Sequence, residues 1–300
     1  MAPTHLSYLL ITPARNEEAF IELTIQSVVA QTVRPARYLI VSDGSTDRTD
    51  EIAARYARQH DWIELLRLPE RQTRDFGGKA GCFNAGYAHV RSRPHDLVAS
   101  LDADITFDAD FFVFLLDKFA ANPRLGLAGA PFSENGETYD YRFSSIEHVS
   151  GACQVFRREC FEAIGGYVPA KGGGIDVIAV LSARLRGWQT RTFVEKHTDH
   201  HRPMGSANDR NTFVNSFKFG ERGYRLGYHP VWQVFRSVYQ LTKKPYVVGG
   251  CALFLGYFWA LLRRMERPMT PELVAFQQRD QMRRLRRFLH LGGGDTADAR

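Results

Sequence analysis

The sequence predicts an α/β fold in which a mostly parallel sheet carries helices on both faces. Short apolar segments alternate with segments of helical periodicity through the first half of the chain, the pattern of parallel strands joined by crossover helices. Polar clusters follow three of the apolar segments, at the strand ends where such sheets bind ligands. The 300 residues, 44% hydrophobic and 24% charged, are enough for one large domain with an appendage or for two smaller domains.

The predicted elements alternate between strand and helix as far as residue 119. Compact apolar runs predict the strands, and apolar residues spaced three or four apart predict the helices. In chain order the predicted segments are a strand at 8–12, a helix at 18–30, a strand at 38–41, a helix at 49–59, a strand at 62–67, a helix at 81–90, a strand at 97–101 and a helix at 111–119. A later helix is predicted from the glycines at 172–174 to about residue 186, with Gly187 as its C-cap.

Two aspartates one residue apart, Asp102 and Asp104, follow the strand predicted at 97–101. Alternate side chains of a strand share one face, so both carboxylates can aim at one point where the strand leaves the sheet. A cation relieves their mutual repulsion, and hard oxygen ligands suit Mg²⁺ or Mn²⁺ held in part by phosphate oxygens. A polar strand end or a helix-capping cluster is the alternative interpretation.

Two further loops are expected at the same edge, residues 13–17 after the first strand and residues 42–45 after the second. Each loop also has the composition of a turn or a helix cap. Lys79 lies among glycines, where it can pair with phosphate or can be the solvated lysine of a flexible loop. The chain contains neither G-x-G-x-x-G nor G-x-x-x-x-G-K-[ST], which disfavours the dinucleotide-binding fold and the phosphate-loop ATPases.

The second half of the chain adds two candidate groups. Asp176, near the start of the helix predicted after the glycines at 172–174, is either an ordinary N-terminal acid or a general base presented on a mobile loop. The triplet at 200–202, His-His-Arg, combines a histidine that can complete a metal shell with an arginine that can bind a diphosphate. A surface loop is the alternative for this triplet.

The segment at 246–262 contains no charged residue and is of borderline length for crossing a bilayer. Two lysines precede it and eight arginines lie between residues 263 and 287, so both flanks are positive. This arrangement favours a position in the membrane interface over a span, with a buried helix as the alternative. The basic tail can attract an anionic membrane surface or nucleic acid, unless it is only a solvated helix face.

Cysteine spacing and the N-terminal residues bear on location. The four cysteines form no C-x-x-C pair and no cluster with histidine, which fits a reducing compartment. The N-terminal residues lack the basic region and the long apolar core of a signal peptide. A cytoplasmic protein is therefore expected.

Five segments occur in an order that is highly specific: ITPARNEE, VSDGSTDRTDEIA, GGKAGCFNAG, LDADITFDADFF and GGYVPAKGGGIDVIAVLSARLRGW. With them the chain, from about residue 8 to residue 225, resembles the inverting nucleotide-sugar glycosyltransferases of family 2, which have the GT-A fold. The resemblance implies that Asp176 is the catalytic base, that Asp104 binds the metal and that Asp102 lies near the ribose. The predicted donor-binding residues are Pro13, Arg15, Glu17, Asp43, Lys79, Asp102 and Arg202, and the predicted metal ligands are Asp104, Asp102 and His201.

Two departures from the family pattern refine the expectation. Ile175 stands where the first acid of the family's Glu-Asp pair is usual, and the Q-x-x-R-W motif of processive synthases is absent. The triplet at 200–202 lies roughly where that motif is expected, which implies transfer of one sugar per encounter. A histidine-arginine segment with a basic tail resembles bacterial enzymes of surface-polysaccharide assembly, which act on lipid-linked acceptors at the cytoplasmic membrane face.

The sequence thus predicts a metal-dependent glycosyltransferase that uses Mg²⁺ or Mn²⁺ and a nucleoside-diphosphate sugar. The expected nucleotide of the donor is UDP, with GDP and dTDP open. The expected partners are a saccharide or lipid-linked acceptor and an anionic membrane surface, not nucleic acid. The expected domains are a catalytic one at 1–225 and a helical, membrane-associating one at 226–300, peripherally attached to the inner face of the cell membrane. The alternatives are a sugar-nucleotide nucleotidyltransferase, a basic nucleic-acid-binding protein and a catalytically silent scaffold of the same fold.

Overall fold

The chain divides into two compact units, residues 1–203 and residues 204–300. The computed structural model describes residues 6–69, 76–134, 137–138, 145–170, 172–202 and 212–289. The catalytic domain was predicted to extend to residue 225, whereas the helix that ends there belongs to the second compact unit. The functional extent of the catalytic region stays a prediction.

The first unit alternates strands and helices as the periodicity predicts. Its strands are β1 (Tyr8–Ala14), β2 (Arg37–Asp43), β3 (Ile63–Leu68), β4 (Leu97–Leu101), β5 (Ile105–Thr106), β6 (Leu125–Gly129), β7 (Phe132–Glu134), β8 (Glu137–Thr138), β9 (Cys153–Arg157), β10 (Gln189–Thr192) and β11 (Thr198–His200). Its helices are α1 (Ile21–Val29), α2 (Thr49–Gln59), α3 (Phe76–Val90), α4 (Phe111–Ala121), α5 (Arg158–Ile164) and α6 (Ile175–Leu185).

Seven of these strands form the main sheet, in the order β10-β6-β9-β4-β1-β2-β3. Strand β1 pairs in parallel with β2 and β4, β2 with β3, and β10 with β6, while β9 runs antiparallel between β4 and β6. Every residue of β4 is buried, as expected of a strand whose two faces are both covered. The predicted mostly parallel sheet is confirmed.

A second sheet has four short strands in the order β5-β11-β7-β8. Strand β11 is antiparallel to β5, with Asp199 opposite Thr106 and His200 opposite Ile105. Because β5 begins directly after Asp104, this pairing returns the triplet at 200–202 to the strand end that carries the two aspartates. The sequence did not predict this sheet, since strands of two or three residues contain too little periodicity to recognise.

Helix α3 differs most from its prediction. It begins at Phe76, five residues earlier than residue 81, and therefore includes Lys79 and the surrounding glycines, which were expected to form a loop. Glycines weaken a helix locally, but tertiary packing can outweigh that preference. At Gly86 of the same helix an added Cβ would lie 2.7 Å from Val41 Cγ2, so the helix packs directly on β2.

The second unit consists, in its described part, of helices only. They are α7 (Thr212–Arg225), α8 (Pro230–Leu241), α9 (Val248–Leu262) and α10 (Pro271–Phe288). Helices α8 and α10 both begin with proline at the first helical position and with a side-chain cap, His229 and Thr270 respectively, each of which accepts a backbone N–H. The local sequence therefore determines where these two helices start.

Helix α9 corresponds to the uncharged segment predicted at 246–262, and glycines allow it to cross α7 with the two backbones in contact. An added Cβ at Gly256 would lie 2.0 Å from Phe217 O, and one at Gly220 would lie 2.2 Å from Leu253 O. One face of α9 is thus buried inside the unit. Among the described helices, none has both the length and the apolarity that a membrane crossing requires.

Candidate active site

Two loops at the carboxyl ends of β1 and β2 are joined by hydrogen bonds into one wall. Asn16 has a positive φ of 55°, which asparagine tolerates better than most residues. Its Oδ1 accepts the N–H of Thr46 at 2.8 Å, and the N–H of Glu17 donates to Thr49 Oγ1 at 2.7 Å. The capping chemistry noted in the sequence therefore fixes the two loops relative to each other.

Three of the predicted donor-binding residues lie together on this wall. Pro13 is opposite Val41 in the β1–β2 pairing, and Asp43 ends β2. Arg15 approaches Asp43, with 3.9 Å between Nη1 and Oδ2, and the aspartate is 7% exposed. The fourth, Glu17, is also buried, and its carboxylate forms an ion pair with Arg202.

Lys79 reaches from α3 to the end of β4. Its ammonium forms an ion pair with Asp102 and donates to the carbonyl oxygen of Gly151 at 3.1 Å. Burial lowers the pKa of Lys79, but the charges of Asp102, Asp176 and Asp104, with the hydrogen bond to Asp102, outweigh burial and raise the pKa above its usual range. Carboxylates from two distant parts of the sequence, the end of β4 and the start of α6, therefore act on one ammonium group.

Asp102 lies in an environment that resists its ionisation. Burial raises the pKa of this carboxyl, Lys79 opposes the rise, and the neighbouring Asp104 adds to it, with a raised pKa as the net result. Asp104 itself is 8% exposed. Two neighbouring carboxylates, of which Asp104 is buried, favour a cation between or beside them, and the metal site stays a prediction.

Asp176 is presented by an unusual backbone. Gly172, Gly173 and Gly174 have φ values of 90°, 88° and 93°, a left-handed run that side-chain-bearing residues rarely adopt, and α6 begins directly after them. Asp176 is in the first turn of α6 and packs against Gly151, where an added Cβ would lie 3.2 Å from the Asp176 Cβ. Gly151 thus contacts both Asp176 and Lys79.

Asn84 of α3 fixes the segment that leads to this glycine run. Its Nδ2 donates to the carbonyl of Tyr167 at 2.8 Å, and the N–H of Tyr167 donates back to Asn84 Oδ1 at 3.1 Å. Tyr167 and Gly151 were not among the site residues predicted from the sequence. Neither position can be recognised from the sequence, because Tyr167 contributes its backbone groups, and Gly151 contributes a carbonyl oxygen and the absence of a side chain.

The triplet at 200–202 places its side chains on different partners. His200 Nε2 lies 3.6 Å from Asp104 Oδ2, while His201 Nε2 lies 2.8 Å from Thr106 Oγ1. Arg202 lies between two acids, since it pairs with Glu17 and its Nε is 3.7 Å from Asp104 Oδ2. His201 was predicted as a metal ligand, but this geometry favours His200, because neighbouring residues at the end of a strand point to opposite faces.

A divalent cation can be tested against these side chains. Asp104 offers carboxylate oxygens, and His200 offers Nε2, the ring nitrogen that lies on the side of Asp104 Oδ2. Such a donor set fits Mg²⁺ or Mn²⁺, which commonly take the rest of their ligands from phosphate and water. Across the described residues, no three His, Cys, Asp or Glu side chains form a complete metal site, so oxygens of a bound ligand would be needed to complete it.

Comparisons with known proteins identify the family of this chain. Residues 9–170 match the Glycosyl transferase family 2, and the chain belongs to this family. It is 30% identical over 271 residues to the poly-beta-1,6-N-acetyl-D-glucosamine synthase of Staphylococcus aureus, which covers 88% of this chain and 58% of that protein. The chain therefore spans less than two thirds of the length of such curated relatives. The predicted family and the predicted enzyme class, a glycosyltransferase, are confirmed.

Solved structures support the fold. A mannosyltransferase of Pyrobaculum calidifontis, in complex with GDP-Man and Mn²⁺, matches with a TM-score of 0.57 and 19% identity over 96% of this chain and 81% of that chain. TarS of Staphylococcus aureus (residues 1–349), in complex with UDP-GlcNAc, matches with a TM-score of 0.54 and 13% identity over 84% of this chain and 72% of that chain. The predicted GT-A fold is confirmed. Asp176 and the triplet at 200–202 lie beyond the residues that match the family, so their roles depend on geometry.

Proposed function

We propose that this protein transfers one sugar from a nucleoside-diphosphate sugar to an acceptor hydroxyl, with inversion at the anomeric carbon. The observation that carries the proposal is that the Lys79 ammonium pairs with Asp102 and donates to the carbonyl oxygen of Gly151, against which Asp176 packs. A base and a diphosphate-binding group must face one sugar ring for a single displacement to occur. In this proposal a carboxylate at the end of β4 belongs to the diphosphate-binding group, and the carboxylate at the start of α6 is the base.

In this proposal Asp176 accepts the proton of the acceptor hydroxyl while its oxygen attacks the anomeric carbon. The new glycosidic bond forms as the bond to the nucleoside diphosphate breaks, and the bonding electrons leave with the phosphate oxygen. Arg202 and Lys79 bring positive charge to the leaving diphosphate. A divalent ion bound by Asp104 and His200, beside Asp102, would supply further positive charge to the same phosphates.

The wall formed by the β1 and β2 loops is proposed to bind the nucleoside. Pro13, Arg15 and Asp43 lie on it, and the similar structures hold UDP-GlcNAc and GDP-Man. A thermal-shift panel of UDP-, GDP- and dTDP-sugars, each with and without Mn²⁺, identifies the base, because a ligand of the folded state raises its apparent stability. We expect UDP-sugars to give the largest shift.

Replacement of Asp176, the proposed catalytic base, tests the reaction. In Asp176→Asn, turnover should fall by about two orders of magnitude or more, while donor binding in calorimetry stays within about twofold. Asp50→Asn is the matched control, because Asp50 also lies in the first turn of a helix, α2, but pairs with Arg67. Full turnover in Asp176→Asn, or an equal loss in the control, would reject the assignment of the base.

A second candidate function is repeated transfer that builds a polymer. It is favoured by the similarity to an enzyme named as a polysaccharide synthase, whereas the missing Q-x-x-R-W motif favours single transfer to a lipid-linked acceptor. Mass spectrometry of the product made from a short oligosaccharide acceptor separates the two. One added sugar supports single transfer, and a ladder of products supports the polymer.

We also propose that the second unit attaches the protein to an anionic membrane surface. The face of α9 that is not packed on its neighbours is apolar, with Leu255, Trp259 and Leu262 exposed at 51%, 42% and 79%. At 15 residues, α9 is about 22 Å long, shorter than a bilayer core of about 30 Å. Exposed arginines recur on α10 at positions 279, 283 and 286, one helical face of positive charge.

Vesicle flotation tests this attachment. The protein should float with vesicles that contain phosphatidylglycerol and bind phosphatidylcholine vesicles at least about tenfold less, since each basic residue near an anionic surface adds about 1 kcal/mol. Trp259→Glu should weaken flotation at every salt concentration, whereas Leu23→Glu, at an exposed apolar position of the first unit, should not. Equal flotation of all three proteins would contradict the proposed surface.

A further inference from the structure

Helix α1 begins in an unexpected way. Its N-cap residue is Phe20, which forms no side-chain cap, although serine, threonine, aspartate and asparagine are the preferred residues at this position. A backbone carbonyl accepts the amides at the start of the helix instead, since Phe20 N–H and Ile21 N–H both donate to the carbonyl oxygen of Glu17. The phenylalanine thus contributes nothing to capping the helix, and its ring is available for another contact.

The ring of Phe20 faces the last residues of the active-site triplet. It stacks on His201, with 6.3 Å between ring centroids and 14° between planes, and the guanidinium carbon of Arg202 lies 5.5 Å from the Phe20 centroid. His201 is itself fixed, because its backbone N–H donates to Asp104 O at 3.0 Å and its ring contacts Thr106. Phe20 and His201 therefore form a fixed aromatic pair at the edge of the site.

Arg202 is enclosed by this pair and by two acids. Glu17 and Asp104 approach the guanidinium, while the Phe20 ring lies against it. An arginine side chain loses conformational entropy when a ligand orders it. A planar contact that holds the guanidinium in one orientation before the ligand binds lowers this entropic cost of binding. A long flexible cation is thereby made part of a rigid site.

We infer that Phe20 is a positioning residue of the active site, which orients the Arg202 guanidinium for the terminal phosphate of the nucleoside diphosphate. The inference rests on the proposed function, because it assumes that Arg202 receives that phosphate. It also assigns a role to His201 that is different from metal binding, namely the second ring of the aromatic pair. Phe20 acts through Arg202 and has no part in the chemistry itself.

Calorimetric binding of nucleotides in the presence of Mn²⁺ tests the inference. The probes are UDP with UMP and GDP with GMP. Each pair differs only in the terminal phosphate, so a substitution that weakens binding of this phosphate is distinguished from one that weakens binding of the nucleobase. Phe20→Leu should lower the affinity for the diphosphate by about fivefold to tenfold and leave the monophosphate unchanged, while Phe20→Tyr, which keeps the ring face, should bind as the wild type does. Leu23→Ala, exposed on the same helix, is the control and should change neither affinity.

The outcomes separate this inference from the proposed function. Equal losses for diphosphate and monophosphate in Phe20→Leu would make Phe20 a purely structural residue, and unchanged diphosphate affinity would overturn the inference while the function stands. Wild-type protein that binds none of these four nucleotides, and neither dTDP nor dTMP measured in the same way, would overturn both. Phe20→Met, unbranched and of similar volume, is measured alongside, so that a folding defect in the leucine variant still leaves a decisive comparison.

Discussion

The two units of the chain use apolar side chains in opposite ways. The first unit encloses them, and among its described residues the exposed large apolar side chains are limited to Leu23, Ile146 and Val194. The second unit displays them on each of its four described helices, from Phe213 on α7 to Phe288 on α10. A sheet covered on both faces has two apolar interfaces to bury, whereas four helices with wide apolar stripes leave much of that surface outside.

This difference indicates two sources of stability. The first unit has an extensive core, to which the strands of the main sheet and the phenylalanines of α4 contribute. In the second unit a small cluster of Tyr224, Tyr257 and Ala260 is buried, and the α7–α9 contact depends on glycines. A large exposed apolar surface usually marks a site that another surface covers, which is why we propose a bilayer there.

The largest expected effect on stability tests the glycine contact. Gly256→Ala should lower the free energy of unfolding of the second unit by about 3 kcal/mol, because the new Cβ would meet Phe217 O at 2.0 Å and overpacking forces backbones apart. Hydrogen exchange of the amides of α7 and α9, read by mass spectrometry, measures this loss. The first unit should keep its exchange protection.

Gly81→Ala is the matched substitution in the first unit. Gly81 lies inside α3 with no atom within 4 Å of an added Cβ, so alanine should raise stability by about 0.5–1 kcal/mol through its better helix propensity. Equal destabilisation by both alanines would show that packing in the two units does not differ as described.

The next effect concerns the charge cluster of the first unit. Lys79→Met should lower the free energy of unfolding by about 2 kcal/mol. This is less than the cost of breaking a fully buried ion pair, because both side chains of the Lys79–Asp102 pair are 28% exposed. Urea unfolding measures this change. The methionine leaves Asp102 beside Asp104 without its ammonium partner.

A second variant separates stability from binding. Lys79→Met with Asp102→Asn removes the unpaired charge, so stability should return to within about 1 kcal/mol of the wild type. Nucleotide affinity should stay low, because both proposed donor contacts are lost. A double variant as unstable as Lys79→Met alone would place the stabilisation elsewhere than in this ion pair.

The smallest expected effect is a difference in reactivity between the thiols of the two units. Cys251 of α9 is exposed, while Cys82, Cys153 and Cys160 of the first unit are buried. Burial raises the pKa of Cys153 and of Cys160 to about 12. At pH 8 a disulfide reagent should therefore modify one thiol per folded chain, and none in Cys251→Ser. Rapid modification of three or four thiols would show that the first unit opens readily.

The same pKa shifts predict an alkaline dependence. Between about pH 9 and pH 12 the unfolded chain loses thiol protons that the folded chain retains, so the stability of the first unit should fall as pH rises, by at most about 1.4 kcal/mol per thiol per pH unit. Urea unfolding at pH 8 and pH 10 measures the slope. Cys153→Ala should make the slope shallower, and an unchanged slope would exclude this thiol as its source.

Much of the first unit was already predictable from the order of its residues. All eight segments predicted between residues 8 and 119 occur, and α2 and β4 have the predicted bounds. Periodicity succeeds there because strands and helices long enough to be buried repeat their apolar residues at a regular spacing. The aspartates after β4 and the acid after the glycines at 172–174 were visible for a similar local reason, since their motifs are contiguous.

Only the tertiary structure decided which groups meet. Lys79, Asp102, Gly151 and Asp176 come together through strand order and crossover connections, which no local pattern encodes. The approach of His200, and not of His201, to the Asp104 carboxylate likewise depends on the pairing of β11 with β5, a contact between residues nearly a hundred positions apart. Sequence periodicity reports which face of an element is buried, whereas the distance between two side chains depends on how whole elements pack.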